Sequence, residues 1–387
     1  MTTRPFDSNS ASLDRLLASK EIAVTCGPGG VGKTTIAAAA AAMAACHHGG
    51  RVLVLTVDPA RRLADALGLK GIGNAEHRIP DEAFRDSGVT PRGELWAAML
   101  DTQASWDALI ERHAPDPRTR AQILANPLYR NLAGRFVQSH DYIAVERLFE
   151  IHATGHYDLI VVDTPPSRHA LDFLDAPKRM AEFFSSRLLR WLIVPYRSRL
   201  VNFASRPFYQ VADRVLGTQF LADIAEFFIL FQSMHEGFVE RADAVVRLLG
   251  DRRTTFIVVS TLESSPLDEA ELFAGELVRR HLHLGAFVLN RTLPDYLRDP
   301  RAGVVARQLG ERADEIAERL ATDPAITAPL LREVAESFFN FGLVARREAE
   351  QRDELAPSPE VLTSAPAFED GVSNLAGLLA LGETIWG

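Results

Sequence analysis

The feature that most limits how this chain can fold is Gly27-Pro-Gly-Gly-Val-Gly-Lys-Thr34. It lies between an apolar run, Glu21 to Cys26, and an alanine-rich segment from Thr35 to about Cys46. Glycine removes the steric bar on positive φ, so successive backbone N–H groups can turn inward around an anion. A buried strand before the loop and a helix after it aim the helix's positive end at the same point. In that setting G-x-x-x-x-G-K-[ST] reads as a phosphate-binding loop. The backbone from Gly27 through Gly29, Gly30, Val31 and Gly32 forms the cradle. Lys33 reaches toward the β- and γ-phosphates, and the Thr34 hydroxyl ligates Mg²⁺. The alternative is a chance glycine-rich turn, against which the flanking strand and helix argue.

Gly49-Gly50 stops the alanine-rich helix, and Arg51 to Val57 reads as a second buried strand ending at Asp58. Strand, loop, helix, strand is the opening of a parallel α/β sheet. Further apolar runs follow at Tyr157–Val162, ending at Asp163, at Thr255–Val259, and at Gly285–Leu289, ending at Asn290. Polar groups gathered at strand C-termini mark the site of a doubly wound sheet. Asp163 stands where a Mg²⁺-organising acid belongs, with a helix N-cap as the plainer reading. Asp58 is placed to orient an attacking water, or else to cap a loop. The Asn290 amide offers one donor and one acceptor edge to an adenine, or else makes a turn.

The expected layout is a tail over residues 1–19, a first part of the nucleotide core over 20–95 and a helical segment over 96–154. The core resumes over 155–175, a Phe-rich helical subdomain occupies 176–250, and the rest of the core with C-terminal helices fills 251–387. Residues 94–154 read as mostly helical from spacings such as Trp96, Met99, Leu100. The tail reads as charged helices, a Pro-rich break near 356–366 and a last helix over about 371–381. Ten of the 21 Phe fall between Phe173 and Phe238. Whether they make a groove or a core is open at this point.

A net charge of −9 disfavours a nucleic-acid partner. Cys26 and Cys46 are the only cysteines, and no Cys-x-x-Cys exists to hold zinc. No run of about 18 apolar residues appears and the first residues are polar, so a cytoplasmic protein is expected. His47-His48 sits at a helix end, where pairing with the dipole is the plainer reading than metal binding.

Gly27 to Thr35, Thr56-Val-Asp-Pro-Ala60, Val162-Asp-Thr-Pro-Pro-Ser-Arg-His-Ala-Leu171 and Val288-Leu-Asn-Arg291 resemble the ArsA-type ATPases, in the same order and with similar spacing. That family includes the arsenite-pump ATPase and the ATPase of guided entry of tail-anchored proteins. Met99-Leu-Asp-Thr, Ile123 to Tyr129 and Leu171 to Pro177 look most like its actinobacterial anion-transporter ATPase-like members. The resemblance implies a doubly wound, mostly parallel P-loop NTPase of the signal-recognition/MinD-like class, with an inserted all-helical subdomain. It implies that Asp58 polarises the lytic water, Asp163 faces Mg²⁺ in the second switch, Thr35 touches the α-phosphate and Asn290 contacts adenine.

The function implied is a Mg²⁺-dependent ATPase, with ATP and Mg²⁺ as cofactors, that couples hydrolysis to a conformational switch. A homodimer or a heterodimer with a paralogue would bind or deliver a hydrophobic protein client or membrane partner. The alternative is the ATPase subunit of an anion or metalloid efflux system. A P-loop kinase and a ParA/MinD-like positioning ATPase rank lower. Pro28 stands where the family has a Lys that reaches the partner's nucleotide, and Arg61 stands where it has a His. Arg61 or Arg168 could supply the missing charge, or be solvated. The family's zinc and arsenite-binding cysteines are missing. His169 reads as structural or switch-linked.

Overall fold

The computed structural model describes residues 12–57, 62–69, 73–132, 139–164, 171–185, 218–320, 323–355, 359–368 and 371–387. After α1 (Leu13–Ala18) come β1 (Ile22–Cys26), α2 (Lys33–His47), β2 (Arg51–Thr56) and α3 (Arg62–Ala66). Then follow β3 (His77–Arg78), α4 (Asp81–Asp86), β4 (Glu94–Met99), α5 (Thr102–His113), α6 (Pro117–Ala125), α7 (Pro127–Leu132) and α8 (Ser139–Ala153). The middle of the chain gives β5 (Leu159–Asp163), α9 (Leu171–Ser185), α10 (Thr218–Gln232), α11 (His235–Leu249), β6 (Thr254–Ser260), α12 (Ser264–Arg279) and β7 (Leu284–Thr292). A short 3₁₀ turn, Asp295–Arg298, leads to α13 (Pro300–Glu311), α14 (Ala313–Arg319), α15 (Pro324–Asp353), β8 (Val361–Pro366) and α16 (Leu375–Trp386).

The strands form one sheet in the order β3-β4-β2-β5-β1-β6-β7-β8. Every pair is parallel except β3 with β4. Parallel sheets are covered on both faces, which is why their strands read as continuous apolar runs. Alternate side chains divide between two cores. Leu53, Leu55, Ile160, Val162, Phe256 and Val258 face the layer of α5 to α12. Val52, Val54, Val161, Ile257 and Val259 face α1 to α4 and α16. The alanines of α2 are buried from Ala37 to Ala45, letting this helix lie close to the sheet and to α16. This is the doubly wound, mostly parallel architecture expected from the sequence.

Two segments differ from the sequence reading. Residues 94–99, expected to be helical, form β4, hydrogen-bonded in parallel to β2. Residues 361–366 lie within the expected Pro-rich break and form β8 on the edge of β7, with Pro366 as its last residue. A terminal position on an edge strand is where a residue without an N–H is tolerated.

The Phe-rich stretch is helical over α9, α10 and α11, while residues 186–217, including Phe203 and Phe208, lie outside the described residues. Phe231 and Phe238 are buried and stand 6.3 and 6.4 Å from the ring of Trp106, which stacks on Tyr142 at 5.8 Å. These described aromatics are core. Beside them Arg241 pairs with the buried Glu146 at 2.6 Å, and Tyr142 donates to the same carboxylate at 2.8 Å. Among the described residues, no helix is long and apolar enough to cross a membrane.

Candidate functional site

The phosphate loop leaves the end of the central strand β1 and enters α2. Gly27, Gly30 and Gly32 take φ values of 141°, 80° and 95°, a region that side-chain-bearing residues rarely enter. Space also demands glycine. A Cβ at Gly27 would fall 2.1 Å from the Val259 carbonyl oxygen, and one at Gly32 would fall 2.3 Å from the Asn290 amide nitrogen. The tip of the loop, Gly29 and Gly30, is exposed, whereas Pro28 is buried.

Lys33, the first residue of α2, is buried. Its ammonium donates to the carbonyls of Gly27 at 3.1 Å and Pro28 at 2.8 Å, so the side chain folds back across its own loop. Thr34 and Thr35 follow in the first turn of α2, half-buried. Asn290, near the end of β7, donates to the Val31 carbonyl at 2.8 Å, and its side-chain oxygen accepts from the Arg291 N–H at 3.0 Å. Arg291 has a φ of 59°, and the β7–β8 register shifts between Asn290 and Thr292. Asn290 therefore lies against the loop, leaving its second amide hydrogen and second lone pair for another partner.

Asp163 ends β5, fully buried, in register with Thr25 of β1 and Thr56 of β2. The Thr56 hydroxyl donates to its carboxylate at 2.8 Å, and the Val57 N–H donates to its carbonyl at 3.0 Å. Thr164 Oγ1 donates to the Thr25 carbonyl at 2.7 Å, and Thr25 Oγ1 to the Val162 carbonyl at 3.0 Å. Threonine hydroxyls thus lace the ends of β1, β2 and β5 together around the acid. Cys26, the last residue of β1, is a protonated thiol. Burial pushes its pKa far up, and the Lys33 charge opposes this only in part.

The structure thus gathers the loop from Gly27 to Thr35, Asp163 and Asn290 at one end of the sheet. Asp58, Arg61, Arg168 and His169 lie outside the described residues. The sequence reading assigned no part to Thr25 or Thr56 and placed Thr164 only in the loop after Asp163, near the γ-phosphate, although a Thr closing an apolar strand beside a key Asp was a usable signal. It also passed over β8, whose Ala365 pairs with Asn290. Among the described residues, one group has the composition to hold a metal ion, His113, Glu146 and Glu150, in the helical layer. Arg241, Arg112 and Arg147 pair with its two carboxylates and supply the positive charge.

A family model described as anion-transporting ATPase matches residues 20–338. The chain is similar to an uncharacterized protein, SCO2128, of Streptomyces coelicolor, 29% identical over 271 residues that cover 70% of this chain and 62% of that protein. The match therefore spans less than two thirds of that relative. Similarity to ATPase GET3 of Malassezia globosa is 25% over 299 residues, covering 76% of this chain and 79% of the relative. To putative arsenical pump-driving ATPase 2 of Aquifex aeolicus it is 23% over 286 residues, covering 70% and 80%.

Proposed function

The chain belongs to the anion-transporting ATPase family, and on that premise we propose that it hydrolyses ATP with Mg²⁺ to drive a conformational switch. What carries the reading is the loop: three glycines at positive φ, two of them packed where no side chain fits, with the buried Lys33 ammonium at their centre.

Lys33 exchanges the two loop carbonyls for the β- and γ-phosphate oxygens of ATP. The exchange is favourable because the ammonium then faces a full negative charge, and the attraction between opposite charges is strong in a buried site that water screens little. The loop N–H groups and the α2 dipole hold the remaining phosphate charge, and Thr35 contacts the α-phosphate. Asn290 offers its spare donor and acceptor to the adenine edge. Thr34 and Asp163 are the residues that would hold Mg²⁺, an oxygen donor pair of the hardness that ion prefers, standing beside the loop. Bound there, the ion would supply positive charge against the developing negative charge of the terminal phosphates. Asp58 orients the attacking water, and the bond that breaks is the one between the γ-phosphorus and the β–γ bridging oxygen.

The switch serves a hydrophobic protein client or a membrane partner, through a dimer of this chain or with a paralogue, in the cytoplasm. The names of the relatives support both this reading and metalloid efflux. The cysteines favour the first: Cys26 and Cys46 are both buried, and burial raises the Cys46 thiol to about 11, so neither offers a thiolate to arsenite.

Steady-state phosphate release tests the assignment. Lys33→Ala should abolish Mg²⁺-ATP turnover. Asp58→Asn should keep ATP binding and lose roughly 10²-fold or more in rate. Unchanged release by the Lys33 variant would overturn the reading.

A further inference from the structure

The solvent side of α15 carries an apolar seam. Leu330, Val334, Ser337, Phe341 and Val344 follow one another at spacings of four, three, four and three, and Ile326 stands one turn earlier. Alternation of three and four is the spacing of a helix face that receives another helix. The five large members are each exposed over about half of their surface or more. Single apolar residues at a surface are ordinary, whereas a contiguous stripe marks a docking face. The hairpin itself closes through the other side of α15, where Ala328 joins Ala313 and Ala317 of α14, and Ala335 meets Gly310 of α13.

The chemistry of the seam selects its partner. Between 326 and 344 the charged residues are Arg332, Glu333 and Glu336, and none of them belongs to the seam. A charged peptide or a nucleic acid would bring its charges against carbon and leave them unpaired. A lipid surface calls for a basic polar face beside the apolar one, and these three residues are one cation and two acids. An apolar helix meets neither objection. At 1.5 Å per residue the seam runs about 27 Å, close to the roughly 30 Å that a bilayer-spanning helix of about 20 apolar residues must cover. Ser337, the small member at its middle, lets the backbone of such a helix come close.

The same helix is tied to the nucleotide end of the sheet. Glu348 accepts from the N–H of Leu293, three residues beyond Asn290, at 2.9 Å. Arg347 and Gln351 donate to the hydroxyl of Ser264, the first residue of α12, at 3.3 and 3.4 Å. These bonds connect the seam-bearing helix to the ends of β6 and β7, the strands that border the phosphate loop and carry Asn290. We infer that the seam from Ile326 to Val344 is the docking face for an apolar helix of a client protein, of the length that spans a bilayer. The inference rests on the hydrophobic client of the proposed function. It places that client on the C-terminal hairpin and not on the Phe-rich helices, whose Phe231 and Phe238 are buried against Trp106.

The test uses the full chain and a labelled Leu/Ala helix of about 20 residues, with lysines at both ends and a photoreactive group at its centre. Binding is read by fluorescence anisotropy in Mg²⁺-ATP and in ADP, and the cross-linked residues are mapped. The native protein should bind and cross-link within 326–344. Ile326→Ser, Leu330→Ser and Val334→Ser together should weaken binding about 10²-fold, because each side chain has about half of its area left to bury. Leu272→Ser with Val278→Ser, exposed apolar residues of α12, should bind within about threefold of native. Unchanged binding by the seam variant, or cross-links confined to the Phe-rich helices, overturns the inference and leaves a hydrophobic client standing. Equal loss in the α12 variant overturns it as general apolar adhesion. A native dimer in light scattering that the seam variant turns into a monomer also overturns it, since a second copy then covers the seam. No binding by the native protein with either nucleotide overturns the client reading itself. If the triple variant does not fold, Leu330→Lys on the same exposed face is read against the same outcomes.

Discussion

The loop end of the sheet and the C-terminal helices α13, α14 and α15 are held together in opposite ways. At the loop end, the five strands β1, β2, β5, β6 and β7 meet, and each contact is specific: a glycine against a carbonyl, an amide against the loop, threonine hydroxyls lacing three strands. The C-terminal helices pack through small residues. Their own core is Ala313, Ala317 and Ala328, and Gly310 of α13 lies against Ala335 of α15. Large apolar side chains are left outside: Ile326 is 69% exposed, Leu330 55% and Val334 51%. Burying a methyl contributes well under half of what a Leu or Ile contributes, so this hairpin gains little from its contacts. Specific contacts are concentrated around the loop, Asp163 and Asn290.

Gly27→Ala tests the first half of that contrast and should have the largest effect. The new Cβ would stand 2.1 Å from Val259 O at a φ of 141°, so either the loop or β6 must move. The expected cost is roughly 3 kcal/mol in thermal or denaturant unfolding, together with lost ATP binding. The counterpart is Gly303→Ala in α13, where a Cβ meets nothing within 4 Å; it should gain about 0.5–1 kcal/mol through helix propensity. Equal responses at the two glycines would remove the distinction between the regions.

The same contrast explains what the sequence disclosed. The loop, Asp163 and Asn290 were legible because each sits at the end of an apolar run whose residue types leave few alternatives. β4 was not. Glu94-Leu-Trp-Ala-Ala-Met99 has no period-two alternation, and Trp96, Met99 and Leu100 are spaced as on a helix. The open edge of β2 decides the outcome, a tertiary effect that local pattern does not carry. β8 was hidden by the prolines around it, and it becomes a strand because β7 offers an edge.

The helical layer lies between the two extremes, and acid should expose its weak point. Burial, with the charges of Arg241 and Arg112, holds His113 down to about 4 from an ordinary 6.5. The unfolded chain therefore binds more protons between those values, so stability falls as pH drops from about 6.5 toward 4. Screening of this partly exposed ring limits the loss at pH 5 to about 1 kcal/mol. The neighbouring Glu146 is raised by its burial and titrates in the opposite sense, so the comparison must be made against a variant. His113→Phe should flatten the fall in melting temperature between pH 7 and 5. A slope unchanged by the substitution would mean that this ring is not what acid attacks.

The smallest effect is expected at the apolar stripe of α15. Ile326, Leu330 and Val334 recur every fourth residue, on the side of the helix turned away from the buried Ala328, Ala335 and Gly342. Each already exposes half or more of its surface, so replacing it with Ser returns little apolar area to water. Ser is also only slightly poorer than these residues as a helix former. The triple variant Ile326→Ser, Leu330→Ser and Val334→Ser should unfold within about 1 kcal/mol of the native protein, each site contributing under about 0.5 kcal/mol. The measurement is equilibrium denaturation in urea at two protein concentrations. A loss above about 2 kcal/mol that grows with protein concentration would show that in solution the stripe is covered by another molecule, and the hairpin would then be better packed than its own three-alanine core implies.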